Sequence, residues 1–261
     1  MRILFIADVV GKPGRQVLQA CLPGLRHERR ADLVIANGEN LAGGYGVTPP
    51  ALKAMFDAGV DVVTSGNHIW DRREGVSLLD EEARLLRPAN YPPGTPGNGS
   101  CLIEVDGAKV GVINLQGRVF MTPIDDPFRI GRALVDELRA ETNITVIDFH
   151  AEATAEKQAF GRFIDGMAAA VVGTHTHVAT ADARILPGGT AYITDLGMTG
   201  SHAGVIGFCA EKAIQRTVSG RRVKFELAEG ELRLQGALVD VDVASGHANQ
   251  IERLDVEWDR E

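Results

Sequence analysis

Short apolar runs recur along the first two thirds of the chain, and each ends abruptly in polar residues. Residues 2–10 read as a buried strand that ends in Asp8-Val9-Val10-Gly11. A helix is predicted over 15–30, with Pro23 breaking or restarting it. Residues 32–36 form a second apolar run, ending in Asn37-Gly38-Glu39-Asn40. Thr48 is placed to cap a short helix that has Pro49 and Pro50 in its first turn. The third run, 60–64, leads into Ser65-Gly66-Asn67-His68-Ile69-Trp70-Asp71. This β-α-β-α-β order predicts a parallel layer covered by helices.

The pattern continues with a helix over 72–87 and a Pro/Gly-rich loop over 91–100. Strands at 101–105 and 109–115 form a hairpin around Asp106-Gly107. A helix over 128–141 precedes a strand at 144–149, which ends in His150. A helix over 154–165 precedes a strand at 168–172, which ends in Gly173-Thr174-His175-Thr176-His177. The texture then changes. A second hairpin spans 184–186 and 190–194, residues 197–207 are glycine-rich, and 210–218 is a short helix. Residues 223–227, 232–243 and 251–258 alternate as antiparallel strands do.

Composition narrows the possibilities. With 261 residues, 44% hydrophobic, the chain can bury a large core, and one domain over 1–261 is expected. A net charge of −8 without a basic run argues against a broad nucleic-acid surface. A small anionic substrate is still compatible, because a local metal site can outweigh the overall sign. Aromatic residues at 5% argue against base stacking along an extended single strand. The N-terminal apolar run stops at Asp8, too soon for a leader, and no run approaches the roughly 20 residues of a membrane span. Cys21, Cys101 and Cys209 are odd in number and far apart, which fits reduced thiols and a cytoplasmic location. A homo-oligomer is left open.

Five strand ends carry chemistry: Asp8; Glu39 and Asn40; Asn67 and His68; His150; His175 and His177. Taken alone, Gly66-Asn67-His68 also reads as a strand-to-helix turn with Asn67 as cap. Five ends filled with Asp, Glu, Asn and His are harder to read that way. Open α/β sheets gather such ends at one edge. These oxygen and imidazole donors suit Fe, Mn, Zn or Co. In an extended segment, His175 and His177 would face the same side. Asp148 and Glu152 flank His150 as partners for its ring. Asp71 either orients His68 or caps the next helix. The glycine-rich 197–204 segment reads as a substrate loop, with Thr199 and His202 as substrate contacts.

This ordered set resembles the calcineurin-like metallophosphoesterases. That family carries Asp-x-His, Gly-Asp-x-x-Asp, Gly-Asn-His, a lone His and Gly-His-x-His in the same order. The whole chain resembles the bacterial YmdB-like branch through Gly-Glu-Asn, Gly-Asn-His-x-Trp-Asp, Asp-Phe-His-Ala-Glu and Gly-Thr-His-Thr-His. Two positions depart from the wider pattern: Val10 stands where most members have a metal-binding His, and Glu39 where most have the bridging Asp. The resemblance implies a four-layer α/β sandwich with two central mixed β-sheets flanked by helices. It implies two divalent or trivalent transition-metal ions, Fe or Mn, with Zn also suited. The first ion would take Asp8, Glu39, Asn40 and His177; the second Glu39, Asn67, His150 and His175. It implies hydrolysis of small phosphodiesters such as 2′,3′-cyclic nucleotides by a metal-bridging hydroxide. His68, an imidazole beside a ligand, is assigned as general acid. Two alternatives use the same residues: a phosphomonoesterase or short-RNA nuclease, and a regulatory metal- and nucleotide-binding protein with little turnover.

Overall fold

Alternate residues of the first strand, β1 (Arg2–Ile6), go to opposite sides of its sheet. Ile3 and Phe5 enter a core between two sheets, while Leu4 and Ile6 enter a core beneath helices. The computed structural model describes residues 1–259, and this alternation organises it.

The first sheet holds β1, β2 (Asp8–Val9), β3 (Leu33–Asn37), β4 (Val62–Thr64), β11 (Met198–Ser201), β12 (Leu232–Val241) and β13 (Ala248–Trp258). β1, β3 and β4 run parallel, whereas β12 pairs antiparallel with β1, β11 and β13. The second sheet has the order β5 (Ser100–Val105), β6 (Ala108–Gln116), β7 (Ile144–His150), β8 (Ala170–Thr174), β10 (Ala191–Ile193), β9 (Arg184–Ile185). Its middle strands are parallel and both edges are antiparallel hairpin arms.

Between the sheets, Ile3, Phe5, Leu33, Ile35 and Val62 pack with Val110, Val112, Val146, Val172 and Ile193. On the outer face of the first sheet lie α1 (Gly11–Arg29), α2 (Pro49–Asp57) and α3 (Arg73–Glu81). On the outer face of the second lie α4 (Pro127–Leu138) and α5 (Thr154–Ile164). The architecture is the four-layer sandwich with two mixed sheets.

Several expectations change. Pro23 does not break α1, which runs through it. Its ring is on the exposed side, and Val17, Leu18, Leu22 and Leu25 hold the other face in the core, which offsets the lost backbone bond. Thr48 makes no side-chain cap to α2, whose Pro50 offers no N–H at the second helical position. The third helix stops at Glu81 because Leu85 and Leu86 bridge to Val63 and Asn98 instead. Residues 223–227 are not a strand; Leu227 makes only an isolated bridge to Phe208. Within the glycine-rich segment, Met198–Ser201 is a buried strand pairing with both β2 and β12.

Candidate metal centre

β1/β2, β3, β4, β7 and β8 deliver their carboxyl ends to one place. Asp8, Glu39, Asn40 and His150 are buried there, and His177 nearly so. His150 Nε2 is 3.1 Å from Glu39 Oε1, 3.2 Å from Asn67 Oδ1 and 3.0 Å from His175 Nδ1. Glu39, Asn67, His150 and His175 therefore converge on one point, the group expected around the second ion. Beside it, Asp8 Oδ1 lies 3.9 Å from His177 Nε2 and 3.9 Å from His150 Nδ1. Asn40 contributes an amide oxygen from the floor of the adjoining cavity.

Neighbours fix how the donors face inward. His177 Nδ1 lies 3.0 Å from the Ile206 carbonyl, to which it donates, leaving Nε2 on the Asp8 side. Thr174 Oγ1 donates to Asp148 Oδ1 at 2.7 Å. It must then accept from His150 Nδ1–H at 2.9 Å, so Nε2 is the ring nitrogen that faces the cluster. Asn37 accepts from the Glu39 backbone N–H and donates to Asp148. Asp148 thus acts on His150 through Thr174. Glu152 does not pair with His150; its carboxylate reaches His175 Nε2 at 3.2 Å.

His175 and His177 do not sit in an extended segment. Both have positive φ, 98° and 63°, a conformation that costs a non-glycine residue about 1–3 kcal/mol. A buried ion pair holds this turn. Lys157 Nζ donates to the Thr174 carbonyl and to Asp195 Oδ2, each at 2.7 Å, and Asp195 Oδ2 also accepts from the Thr176 N–H. Sequence reasoning missed Lys157, Asn37 and Asp195. Asp195 carried a signal, because it follows the apolar run 190–194 as the other site residues follow theirs.

Gly66 is fixed by space. A Cβ there would fall inside contact distance of the His150 ring and the Glu39 carboxylate. The next residues, Asn67–Trp70, form one 3₁₀ turn. The His68 N–H donates to Glu39 Oε2 at 2.9 Å. The His68 ring Nδ1 meets Asp71 Oδ2 at 2.7 Å. Asp71 therefore orients His68, and α3 has no side-chain cap.

Electrostatics favour a cation. Burial pushes the Asp8 carboxyl well above its ordinary range, with Glu39, Asp195 and Asp148 adding to the shift against His150. Burial would also raise Glu39, but His150 and His68 together hold it down at about 2. Burial would lower His150; Glu39, Asp8 and Asp148 instead lift it to about 9. His175 is lowered to about 3 by burial and by the charge on His150, and burial also lowers His177. One proton on His150 thus stands in for positive charge that the carboxylates call for. Two buried oxygens, Asp8 Oδ1 and Asn40 Oδ1, have no hydrogen-bond partner. Oxygens left this way in a cluster of imidazoles and carboxylates fit metal coordination.

The cluster floors a cavity of about 520 Å³. Tyr45, His68, Glu152, Val205, Ile206, Phe208, Arg216 and Phe225 are among the other residues that line it. The two expected substrate contacts are not there. Thr199 is fully buried in β11, its hydroxyl on the Gln235 carbonyl. His202 lines a separate cavity behind His177, with Gln235 and Arg253. Both follow from the glycine-rich segment being a paired strand rather than a loop.

A family model described as YmdB-like protein matches residues 4–254. The chain is 48% identical over 254 residues to the 2′,3′-cyclic-nucleotide 2′-phosphodiesterase of Bacillus subtilis (strain 168), covering 97% of this chain and 96% of that one. A crystal structure of a hypothetical protein from Thermus thermophilus superposes with a TM-score of 0.93 at 43% identity, over 98% of this chain and 99% of that one. A Mycoplasma pneumoniae protein, titled a novel phosphatase, superposes equally well at 34% identity, over 98% and 93%. With the fold, the strand-end cluster and the match all in agreement, the chain belongs to the YmdB-like protein family.

Proposed function

We propose that this enzyme, a phosphoester hydrolase, cleaves small phosphodiesters, 2′,3′-cyclic nucleotides foremost, at a centre holding two transition-metal ions. The carrying observation is the pair of buried, unpartnered oxygens, Asp8 Oδ1 and Asn40 Oδ1, beside the Glu39–His150–His175 group. Asp8, Glu39, Asn40 and His177 would hold one ion; Glu39, Asn67, His150 and His175 the other. Glu39, buried between the two groups, would be the shared ligand. The donor set suits Fe or Mn, and Zn as well. When bound, the ions supply Lewis acidity at the phosphoryl oxygens and lower the pKa of a water nucleophile.

The protein's own groups do the rest. His68 lines the cavity and is held by Asp71 through Nδ1. Its Nε2 is then the atom that passes a proton to the leaving ribose oxygen. Its backbone N–H fixes Glu39, which couples the proton donor to the ligand cluster. The unpaired thiols of Cys21, Cys101 and Cys209 are consistent with a cytoplasmic location, and no helix among the described residues is long and apolar enough to cross a membrane. The B. subtilis relative's named activity supports the choice of 2′,3′-cyclic nucleotides.

The test is metal analysis of the purified protein followed by a panel of 2′,3′-cAMP, bis-p-nitrophenyl phosphate, p-nitrophenyl phosphate and short RNA. The cyclic diester is expected to give the highest kcat/KM. Preference for the monoester or the RNA defeats the substrate assignment. Fewer than two ions, with no activity after Mn or Fe is supplied, favours a binding protein.

A further inference from the structure

Opposite its polar floor, the cavity has an aromatic wall that metal binding and proton transfer leave unused. Tyr45 and Phe208 stack with centroids 5.4 Å apart and planes at 19°. Phe208 and Phe225 stack at 4.9 Å and 27°. The Arg216 guanidinium lies over Phe225, 4.8 Å from its centroid. These groups come from two distant parts of the chain: Tyr45 from the loop after β3, and Phe208, Arg216 and Phe225 from α6 (Ala210–Ser219) and the segments on either side of it. Their layering is therefore a tertiary feature, and composition gave no hint of it.

The wall starts at the reacting end. Tyr45 meets the His68 ring edge-on at 4.8 Å between centroids. Phe208 is buried, while Tyr45 and Phe225 are half-buried and line the cavity. Helix α6 buries none of its own residues, so the rings are not a core built to hold it. Arg216 is exposed and is the one Lys or Arg in the cavity lining. A cavity of about 520 Å³ is far larger than a phosphate group needs. With a polar floor and aromatic rings in its wall, it matches a ligand with a charged end and a flat apolar end.

We propose that Tyr45, Phe208 and Phe225, closed by Arg216, form a base-binding wall that takes the base of a nucleoside cyclic phosphate by stacking. The phosphate then sits on the floor, beside His68. Arg216 suits the outer position because a planar, weakly hydrated guanidinium stacks on a base as it does on Phe225, and its N–H groups can donate to acceptors on the base edge. This rests on the reading that the floor hydrolyses such a cyclic phosphate.

The experiment compares 2′,3′-cAMP with ribose 2,3-cyclic phosphate, which lacks the base, on the metal-loaded wild type and on Tyr45→Ala, Phe225→Ala and Phe225→Tyr. Adenosine binding is measured by calorimetry on the same proteins. Loss of a stacking ring should lower kcat/KM for 2′,3′-cAMP about 5- to 150-fold, mainly through KM. On Phe225→Ala, which does not touch His68, the base-free substrate should be unaffected, and Phe225→Tyr should keep most of the preference. Adenosine should bind the wild type and be lost from both alanine variants. Equal losses on both substrates, or wild-type turnover that ignores the base, overturn the proposal. If the wild type cleaves neither substrate yet binds adenosine through these rings, the hydrolysis reading fails and the base wall stands. Turnover without adenosine binding or base preference is the reverse result.

Discussion

The Lys157 ammonium and the Asp195 carboxylate meet 2.7 Å apart, both fully enclosed, directly behind the turn that carries His175 and His177. Each charge has other work in that turn: Lys157 on the Thr174 carbonyl, Asp195 on the Thr176 and Gly197 N–H groups. Removing one partner leaves a buried charge alone and releases a turn with two strained residues. Lys157→Met is therefore expected to cost about 3–5 kcal/mol of stability. Metal content should fall as well, because His175 and His177 lose their placement. Thermal unfolding and metal analysis of the same sample check both effects. An unchanged Tm would show that the pair is not holding the turn.

Replacing His68 separates proton transfer from metal binding. His68 touches the cluster only through its backbone N–H, which an alanine keeps. His68→Ala should retain both ions and lose about 10²- to 10⁴-fold in kcat. Asn67→Ala and His150→Ala should each lose the second ion. Asp71→Asn, which weakens the hold on Nδ1, should cost less than His68→Ala and should change the pH–rate profile. An emptied site in His68→Ala would mean that the ring is a ligand rather than an acid.

Metal uptake should be linked to protons. Without metal, His150 is raised from an ordinary 6.5 to about 9. Its contribution to stability is complete below pH 6.5 and is lost as pH rises through 9. Glu39, lowered from 4.5 to about 2, contributes stability above pH 4.5 that is lost as pH falls through 2. Asp8 is raised, so its ionisation weakens the metal-free fold as pH rises. A ligand ion must displace the His150 proton. Apparent affinity for Mn²⁺ should thus climb with pH up to about 9, by about tenfold per unit from this group alone. Calorimetry in buffers of different ionisation enthalpy should register proton release near pH 7. Affinity that is flat with pH would contradict the coupling between His150 and the carboxylates.

The floor of the site was legible in the sequence because each candidate ligand follows an apolar run, and a parallel layer brings such ends together without further information. Asp8, Glu39, Asn40, Asn67, His150, His175 and His177 all meet as that logic expects. What holds them was less legible. Lys157 is one lysine in an amphipathic helix, and only its tertiary neighbours make it buried. The conformation of His175 and His177 was misjudged, because the strand reading was carried past Thr174 into a turn. Thr199 and His202 were misplaced for a related reason: glycine content suggested a loop where pairing with β2 and β12 makes a strand. The aromatic wall draws on few residues, with Tyr45 far in sequence from Phe208 and Phe225, so neither percentage nor spacing announces it.

Gly66 gives the most local test of the cluster. Its φ of −158° lies outside the left-handed region, so a positive φ is not what bars an alanine there. The obstacle is contact: the added methyl would press into the His150 ring and the Glu39 carboxylate. Those groups are themselves held, His150 by Thr174 and Glu39 by the His68 N–H, so they can give way only by breaking the arrangement. Overpacking of this kind costs about 1–3 kcal/mol, which a domain of this size survives. Gly66→Ala should therefore fold, with a lowered Tm and an unchanged far-UV spectrum. It should bind fewer than two ions per chain and lose turnover on every phosphoester tested. Gly24→Ala, at an exposed glycine of α1 with open space around it, serves as the control for an added methyl that meets nothing. A Gly66→Ala protein that keeps both ions and full activity would show that the ligands rearrange on loading, and that their spacing here is not the spacing that works.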